Sequence, residues 1–573
     1  MRFEVAGGDA ALSALLKTVS LTQTEMAAKA PDPQDVFAAA RADYARLVAA
    51  LYDRGYYAVQ VSIRMDGREV AEIAPLDAPD RVQSVVIEVD PGPVFHFSRA
   101  EIAPLTSGTT LPKGFAAGAV APSGLIAEAA QAGVSGWRDA GHAKARVADQ
   151  SIVADNRAAT LDARIRLDPG PSLTFGQMRM AGYERLRPKR LAEIAGFPTG
   201  KTFSPEELDK VRARLRRSGI FSSVTLTESE TVSAGNTLDA DLVVVEDKKR
   251  RLGFGAELDS LDGLTLSGYW LHRNLFHGGE RLRIDAEISG IGASSKGADY
   301  ALGLRIDRPA TFDPDTNAFI ETTLSKQNGE DYDLSGFDIG FGLRHIFNDR
   351  LVGETKIELA WSDVDDDGDI SYFRRLALPS TLTWDDRDNS ADATRGYYAE
   401  VGLTPFLGFA GTGSGLRTTA DLRGYKGFGA EGRFVLAGRA QIGAVFGPDL
   451  AQTPRDYLFY SGGGGTVRGQ PYQSLGVYAL RNGTQRTGGM RFAALSGELR
   501  AGLTDTIGLV GFYDAGFVGL DDFFGGDGDW HAGAGIGLRY KTAIGPIRLD
   551  VAAPAGGDTG DGAQIYLGLG QAF

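Results

Sequence analysis

Cysteine is absent from the 573 residues, which excludes disulfide frameworks, thiol nucleophiles and thiolate metal sites. No stretch approaches the run of about 18 apolar residues that a membrane-spanning helix needs. Such a chain can cross a bilayer only as a β-barrel, because the bilayer core has no water to satisfy an open sheet edge. Positive charge is in deficit, with 60 Lys and Arg against 74 Asp and Glu and a net charge of −14, so a nucleic-acid partner is not expected. The 6 histidines are scattered and form no zinc motif. No G-x-S-x-G occurs, and the run Gly462–Gly465 lacks the Lys-Ser/Thr of a phosphate loop. Hydrolase and nucleotide chemistry therefore have no support, and neither a metal nor a cofactor is expected. Met1-Arg2-Phe3-Glu4-Val5 runs straight into a strand-like segment. No signal peptide is visible, so an exported form would have lost its targeting segment or never included it here.

Glycine is abundant instead: 76 residues, beside 29 Phe and 19 Tyr, a mixture suited to sheets with many turns and aromatic girdles. The first 250 residues repeat. Tyr52-Asp53-Arg54-Gly55-Tyr56, Trp137-Arg138-Asp139-Ala140-Gly141 and Leu215-Arg216-Arg217-Ser218-Gly219 each read as a helix ending at glycine and entering a strand. A second anchor closes each unit: Val89-Asp90-Pro91-Gly92-Pro93, Leu167-Asp168-Pro169-Gly170-Pro171 and Val245-Glu246-Asp247-Lys248. The period exceeds that of common solenoids, which predicts three small α+β domains of the order strand, helix, helix, strand, strand, over residues 1–93, 94–171 and 172–249. Ser204-Pro205-Glu206-Glu207 has the makings of a helix start, and Leu208, Val211 and Leu215 then share one apolar face. Asp32-Pro33 opens a helix in the first unit with Val36, Ala40, Tyr44, Leu47 and Leu51 on its core face.

From about Arg250 the helical pattern gives way to alternation. In Arg281–Ile288 the residues Leu282, Ile284, Ala286 and Ile288 face one way and Arg281, Arg283, Asp285 and Glu287 the other. A charged face opposite an apolar one suits lipid outside and water inside. At about 20 residues per strand and connection, residues 250–573 hold roughly sixteen strands. Asp363-Val364-Asp365-Asp366-Asp367-Gly368 begins like a calcium loop, but its twelfth position is Arg374, so an acidic hairpin tip is expected. Gly427–Gly432 spells G-x-G-x-x-G without a following helix and reads as a turn.

One stretch stands out: Gly462-Gly463-Gly464-Gly465-Thr466-Val467-Arg468-Gly469. Glycines free the backbone for tight turns, and an arginine held in such a loop needs an anionic partner. Glu498 and Asp514 are the candidates, both in strand-like surroundings.

Val467-Arg468-Gly469 resembles the Val-Arg-Gly loop motif of the BamA/TamA superfamily of outer-membrane assembly proteins. Phe512-Tyr513-Asp514-Ala515-Gly516 resembles its later strand motif, with Glu498 in the matching acidic position. Thr383-Trp384-Asp385-Asp386-Arg387-Asp388-Asn389 with Thr394-Arg395-Gly396 is similar to another barrel signature of the group. Gln470 stands where the family usually has an aromatic. The repeated units resemble polypeptide-transport-associated (POTRA) domains, and three of them point to the TamA-like branch, since BamA typically has five and two-partner secretion pores two. The resemblance implies α+β tandem POTRA domains in the periplasm followed by a transmembrane antiparallel β-barrel of about 16 strands over 250–573. It also implies an outer-membrane location, a TamB-like inner-membrane-anchored partner, and unfolded autotransporter-type β-barrel clients. The role is not enzymatic, with a secretion or passive channel as the alternative. Its expected parts are a lumenal loop lock of Val467, Arg468 and Gly469 with Glu498 and Asp514, and a weak seam between Leu252–Asp259 and Ile565–Phe573. In that seam Gly253, Gly255, Gly568 and Gly570 pack poorly. Ile565, Leu567, Leu569 and the terminal Phe573 alternate in the manner of a barrel-insertion signal.

Overall fold

The structure, a computed structural model, describes residues 1–573 except 8, 9, 29, 30, 260–262, 293–296, 330, 331, 367, 430, 431, 482 and 544, and the side chains of 258 and 259. It divides into two compact units. One comprises Met1–Arg179, Phe197–Lys210 and Leu226–Leu242, the other Met180–Gly196, Val211–Thr225 and Val243–Phe573.

Three small sheets precede the barrel. In the first, Arg2–Val5 lies parallel to Val85–Asp90, and Gln60–Met65 pairs antiparallel with that same strand. The helix Pro33–Tyr52 covers it, capped by Asp32, whose carboxylate accepts from the Gln34 N–H. Val36, Ala40, Leu47 and Leu51 are buried against Ile63, Val85 and Ile87, with Tyr44 at the margin. The second sheet repeats the plan: His96–Ala103 runs parallel to Thr160–Asp168, and Arg146–Asp155 antiparallel to it. The third has the order Thr174–Ala181, Thr237–Glu246, Phe221–Glu228. Gly55, Gly141 and Gly219 all take positive φ, the left-handed turn that ends a helix without Cβ strain.

The helix count departs from a uniform pair. Helices Ala10–Val19 and Leu21–Met26 precede Pro33–Tyr52 within residues 1–93, whereas residues 94–171 show one helix, Ser123–Asp139, among those described. The segment leading to it, 104–122, carries Pro104, Pro112 and Pro122 and glycines at 108, 114 and 118, which deny it a helical run.

From Arg250 onward the strands, apart from the separate pair Val477–Leu480 and Gln485–Thr487, form a closed antiparallel barrel. It has seventeen segments, but Asp369–Ala377 and Ser380–Asp385 pair with the same two neighbours, Leu351–Asp366 on one side and Arg395–Phe409 on the other. They are two halves of one strand, interrupted at Pro379, which has no N–H for the ladder. Sixteen rungs result, an even number, as closure of an all-antiparallel sheet requires. The acidic run ends in a hairpin tip between Asp366 and Asp369, where Gly368 donates to the Asp365 carboxylate; Asp367 lies outside the described residues. The Gly427–Gly432 stretch spans the end of one strand and the turn to Phe434, with residues 430 and 431 outside the described set.

Large apolar side chains line the outer face, among them Phe254, Leu407 and Ile536, 86%, 63% and 70% exposed. A contiguous apolar surface of this kind needs lipid against it. The inner face is a charged ladder: Arg305 binds Glu321 and Glu354, and Lys356 reaches Glu321. Among the described residues no helix is long and apolar enough to cross a membrane.

Candidate functional site

The connection 447–490, between strands Phe434–Phe446 and Arg491–Gly502, does not leave the barrel as an open loop. Tyr457, Leu458, Phe459, Leu475, Val477 and Met490 from it pack on Phe406, Val445, Phe492 and Val518 of the wall. This apolar contact carries the Gly-rich stretch inward. There Gly463 N–H donates to the Gln470 carbonyl at 2.9 Å, and the Thr466 hydroxyl bonds both main-chain groups of Gly462. The loop is thus tied to itself before it meets the wall.

At its tip Arg468 is almost fully buried. Its Nε and Nη2 lie 2.8 and 3.0 Å from the two oxygens of Asp514, a bidentate pair, and its own N–H donates to Asp514 Oδ2 at 3.1 Å. Nη1 donates to Glu498 at 2.7 Å and to Asp550 at 3.3 Å. The guanidinium stacks on Phe512, 3.6 Å from the ring centroid. Arg500 holds the second oxygen of Glu498 at 2.8 Å, and Arg539 binds Asp550. Three arginines and three carboxylates therefore form one neutral, buried network. Removing water from such charges is expensive, and shared multidentate hydrogen bonds are what offset it.

The wall behind the loop is bare of side chains where the backbone passes. A Cβ at Gly533 would stand 1.8 Å from the Arg468 carbonyl oxygen, and one at Gly516 would stand 2.9 Å from a Val467 methyl. Gly469, at φ +90, donates its N–H to the Tyr566 hydroxyl at 2.9 Å. Val467 is fully buried. Gln470 is not a gap left by a missing aromatic: its amide donates to the carbonyls of Ala532 and Gly556, and Thr559 donates to its oxygen.

Val467, Arg468, Gly469, Glu498 and Asp514 thus meet in one place. Asp550, Arg500, Arg539, Gln470 and Tyr566 belong to the same cluster and were not singled out from the sequence. A partial signal was available, because Arg500 is two residues from Glu498 and so shares its face, as charges in a lumenal row do.

The seam residues divide into two groups. Among the described residues, the first strand, Arg250–Asp259, pairs with the last only at Leu258–Leu567 and Asp259–Tyr566. A regular neighbouring interface runs through thirteen pairs, Leu416–Phe446 to Phe428–Phe434. Gly253 and Gly255 fall in the stretch without a partner on that side. Ile565, Leu567 and Leu569 are exposed on the outer face. Phe573 is a correction to the alternating terminal strand. The last strand is Gln564–Leu569, and Gly570, at φ +92, turns the chain inward. Phe573 is buried with Ala393, Tyr425 and Ala437, and Arg500 donates to its carbonyl at 3.1 Å. Gln571 accepts from Arg539 at 2.8 Å and donates to Asp392 at 2.9 Å. Polar partners inside the barrel outweigh the strand continuation that alternation suggests, and the residues that would lengthen the seam are turned away from it.

The Omp85 superfamily domain is matched over residues 274–573. Among solved structures, BamA from Haemophilus ducreyi lacking POTRA domains 1–3 is similar, with a TM-score of 0.64 and 16% identity over 83% of this chain and 100% of that one. CdiB from Acinetobacter baumannii follows at 0.51 and 11%, over 83% and 90%. CdiB from Escherichia coli gives 0.50 and 13%, over 83% and 91%. At these identities the likeness is one of fold: POTRA-like α+β modules leading into an antiparallel barrel.

Proposed function

The chain belongs to the Omp85 superfamily of outer-membrane proteins, and from that premise we propose that it is a TamA-type assembly factor. In this reading it helps autotransporter-type β-barrel clients insert into or cross the outer membrane. Residues 1–93, 94–171 and 172–249 are its periplasmic POTRA domains, and they meet a TamB-like partner anchored in the inner membrane. The barrel opens laterally between its first and last strands, while the Arg468 network braces the wall beside the opening. No covalent step is required.

The observation that carries this reading is the short seam. An unpaired strand edge is a template for another strand, and the first strand offers one from Arg250 to Glu257 among the described residues. A second reading, a secretion channel, is favoured by the fold likeness to the two CdiB structures, with 447–490 acting as a constriction.

The test is client insertion into liposomes containing the purified protein, intact and as Arg468→Ala, beside ion conductance. Heat-modifiable gel migration verifies that both barrels are folded. Insertion accelerated by the intact protein and lost in the folded variant supports assembly. Conductance with no insertion effect across several clients replaces it with the channel.

A further inference from the structure

We infer that Arg548 and Glu257 form an electrostatic clasp that sets how readily the seam opens, an inference that rests on the lateral-seam reading above. Arg548 lies on Gly545–Gly556, the strand before the last, directly opposite Gly568. Its Nη2 reaches across the last strand to Glu257 Oε1 on the first, at 2.8 Å. The pair joins residues on either side of the seam, beside the short registered stretch Leu258–Leu567.

Gly568 is what lets the arginine across. A Cβ built there would stand 3.0 Å from Glu257 Oε1 and 3.1 Å from Arg548 Nε, so any side chain at 568 presses on the bridge. This glycine keeps a path clear over the strand, which is more specific than loose packing. Extending the register of Leu258–Leu567 by one residue sets Gly568 opposite Glu257. Arg548 therefore supplies, from one strand away, the cross-strand partner that Gly568 lacks.

The two ends of the clasp sit in different surroundings. The Arg548 side chain is 12% exposed, that of Glu257 54%. The buried end stays with its strand, whereas the wet end is screened by salt and is released when the first strand moves. Among the described residues Arg548 Nε has no hydrogen-bond partner, so there the arginine has few other ties to replace Glu257. A strand displacing the last one would meet Glu257 without its cation, which favours a basic or small residue at the position of Gly568 and disfavours an acidic one.

The absence of native cysteine makes the test direct. Leu258→Cys with Leu567→Cys, at register partners, reports the closed seam by disulfide formation in the full-length protein in detergent, without client. Glu257→Arg and Arg548→Glu are each expected to slow disulfide closure about two- to fivefold, the range for a partly exposed pair. The charge-swapped double variant is expected to restore it. Raising salt from about 0.01 M to about 1 M should slow closure in the parent and not in Glu257→Gln. Gly568→Ala keeps both charges, adds one methyl group 3.0 Å from Glu257 Oε1, and should act in the same direction as the single reversals. Closure unchanged in both reversals, or slowed without recovery in the double variant, overturns the clasp. A locked seam that leaves client insertion unchanged overturns the assembly reading and leaves the clasp standing.

Discussion

The wall that carries the arginine loop and the wall that carries the seam are built from strands of the same period, yet their lumenal faces could hardly differ more. Behind the loop, Glu498, Asp514 and Asp550 on three strands are bound by Arg468, Arg500 and Arg539 in a dry cluster. At the seam the lumenal row of the first strand is Arg251, Gly253, Gly255 and Glu257, with the Arg548–Glu257 ion pair crossing to the far side. Both walls use glycine, for different neighbours. Gly516 and Gly533 bring a loop into contact with the wall, whereas Gly253 makes room for the Tyr269 ring of the next strand and Gly255 for the Ser267 hydroxyl. A barrel can thus be densely bonded along one arc and sparsely paired along another without any change of fold.

Breaking the braced arc should give the largest effect. Asp514→Ala leaves the Arg468 charge buried without its bidentate partner, at a cost of about 3–5 kcal/mol. It is expected to lower the urea midpoint of the heat-modifiable band and to open 447–490 to protease. The contrast itself is tested by one substitution made in both arcs. Gly533→Ala forces a backbone carbonyl aside and should cost about 1–3 kcal/mol. Gly255→Ala meets only the movable Ser267 hydroxyl, at 2.6 Å, and should stay within about 0.5 kcal/mol. Equal midpoint shifts in the two would erase the distinction. Phe573→Ala removes the apolar end of the inward tail, and a loss of about 2 kcal/mol is expected, read as a lower midpoint with the loop still protected.

The smallest effect lies outside both arcs. Burial raises the pKa of Glu246, but Arg185 and the N–H groups of Leu186, Arg185 and Glu184 outweigh it and hold the carboxyl down at about 2. Its folded pKa is depressed, so its contribution is complete above the ordinary value of about 4.5 and is lost as pH falls from there towards 2. Acid titration of urea stability in that window should be flattened by Glu246→Gln.

Much of this architecture was legible in one dimension. The apolar faces of Pro33–Tyr52 and Pro205–Arg217 and the alternation of Arg281–Ile288 follow from local period, and strand count follows from length. Arg468 was conspicuous because a charged side chain among five glycines has little local reason to be there. Asp550 and Arg539 were not, since a lumenal charge in a barrel strand looks the same whether it meets water or a buried partner. The helix count of the repeat 94–171 was missed because repeat anchors fix where a crossover begins and ends, and not what fills it.

Sequence by itself therefore determined the three tandem modules, the barrel and the arginine that needed an anion, because helix and strand periods, turns and caps are set by neighbours along the chain. Tertiary structure alone decided that the tail turns inward at Gly570, that six charges close into one network, and that Arg548 reaches Glu257 across a glycine. Those outcomes join residues up to 291 positions apart, where the energy depends on which strands closure has brought side by side.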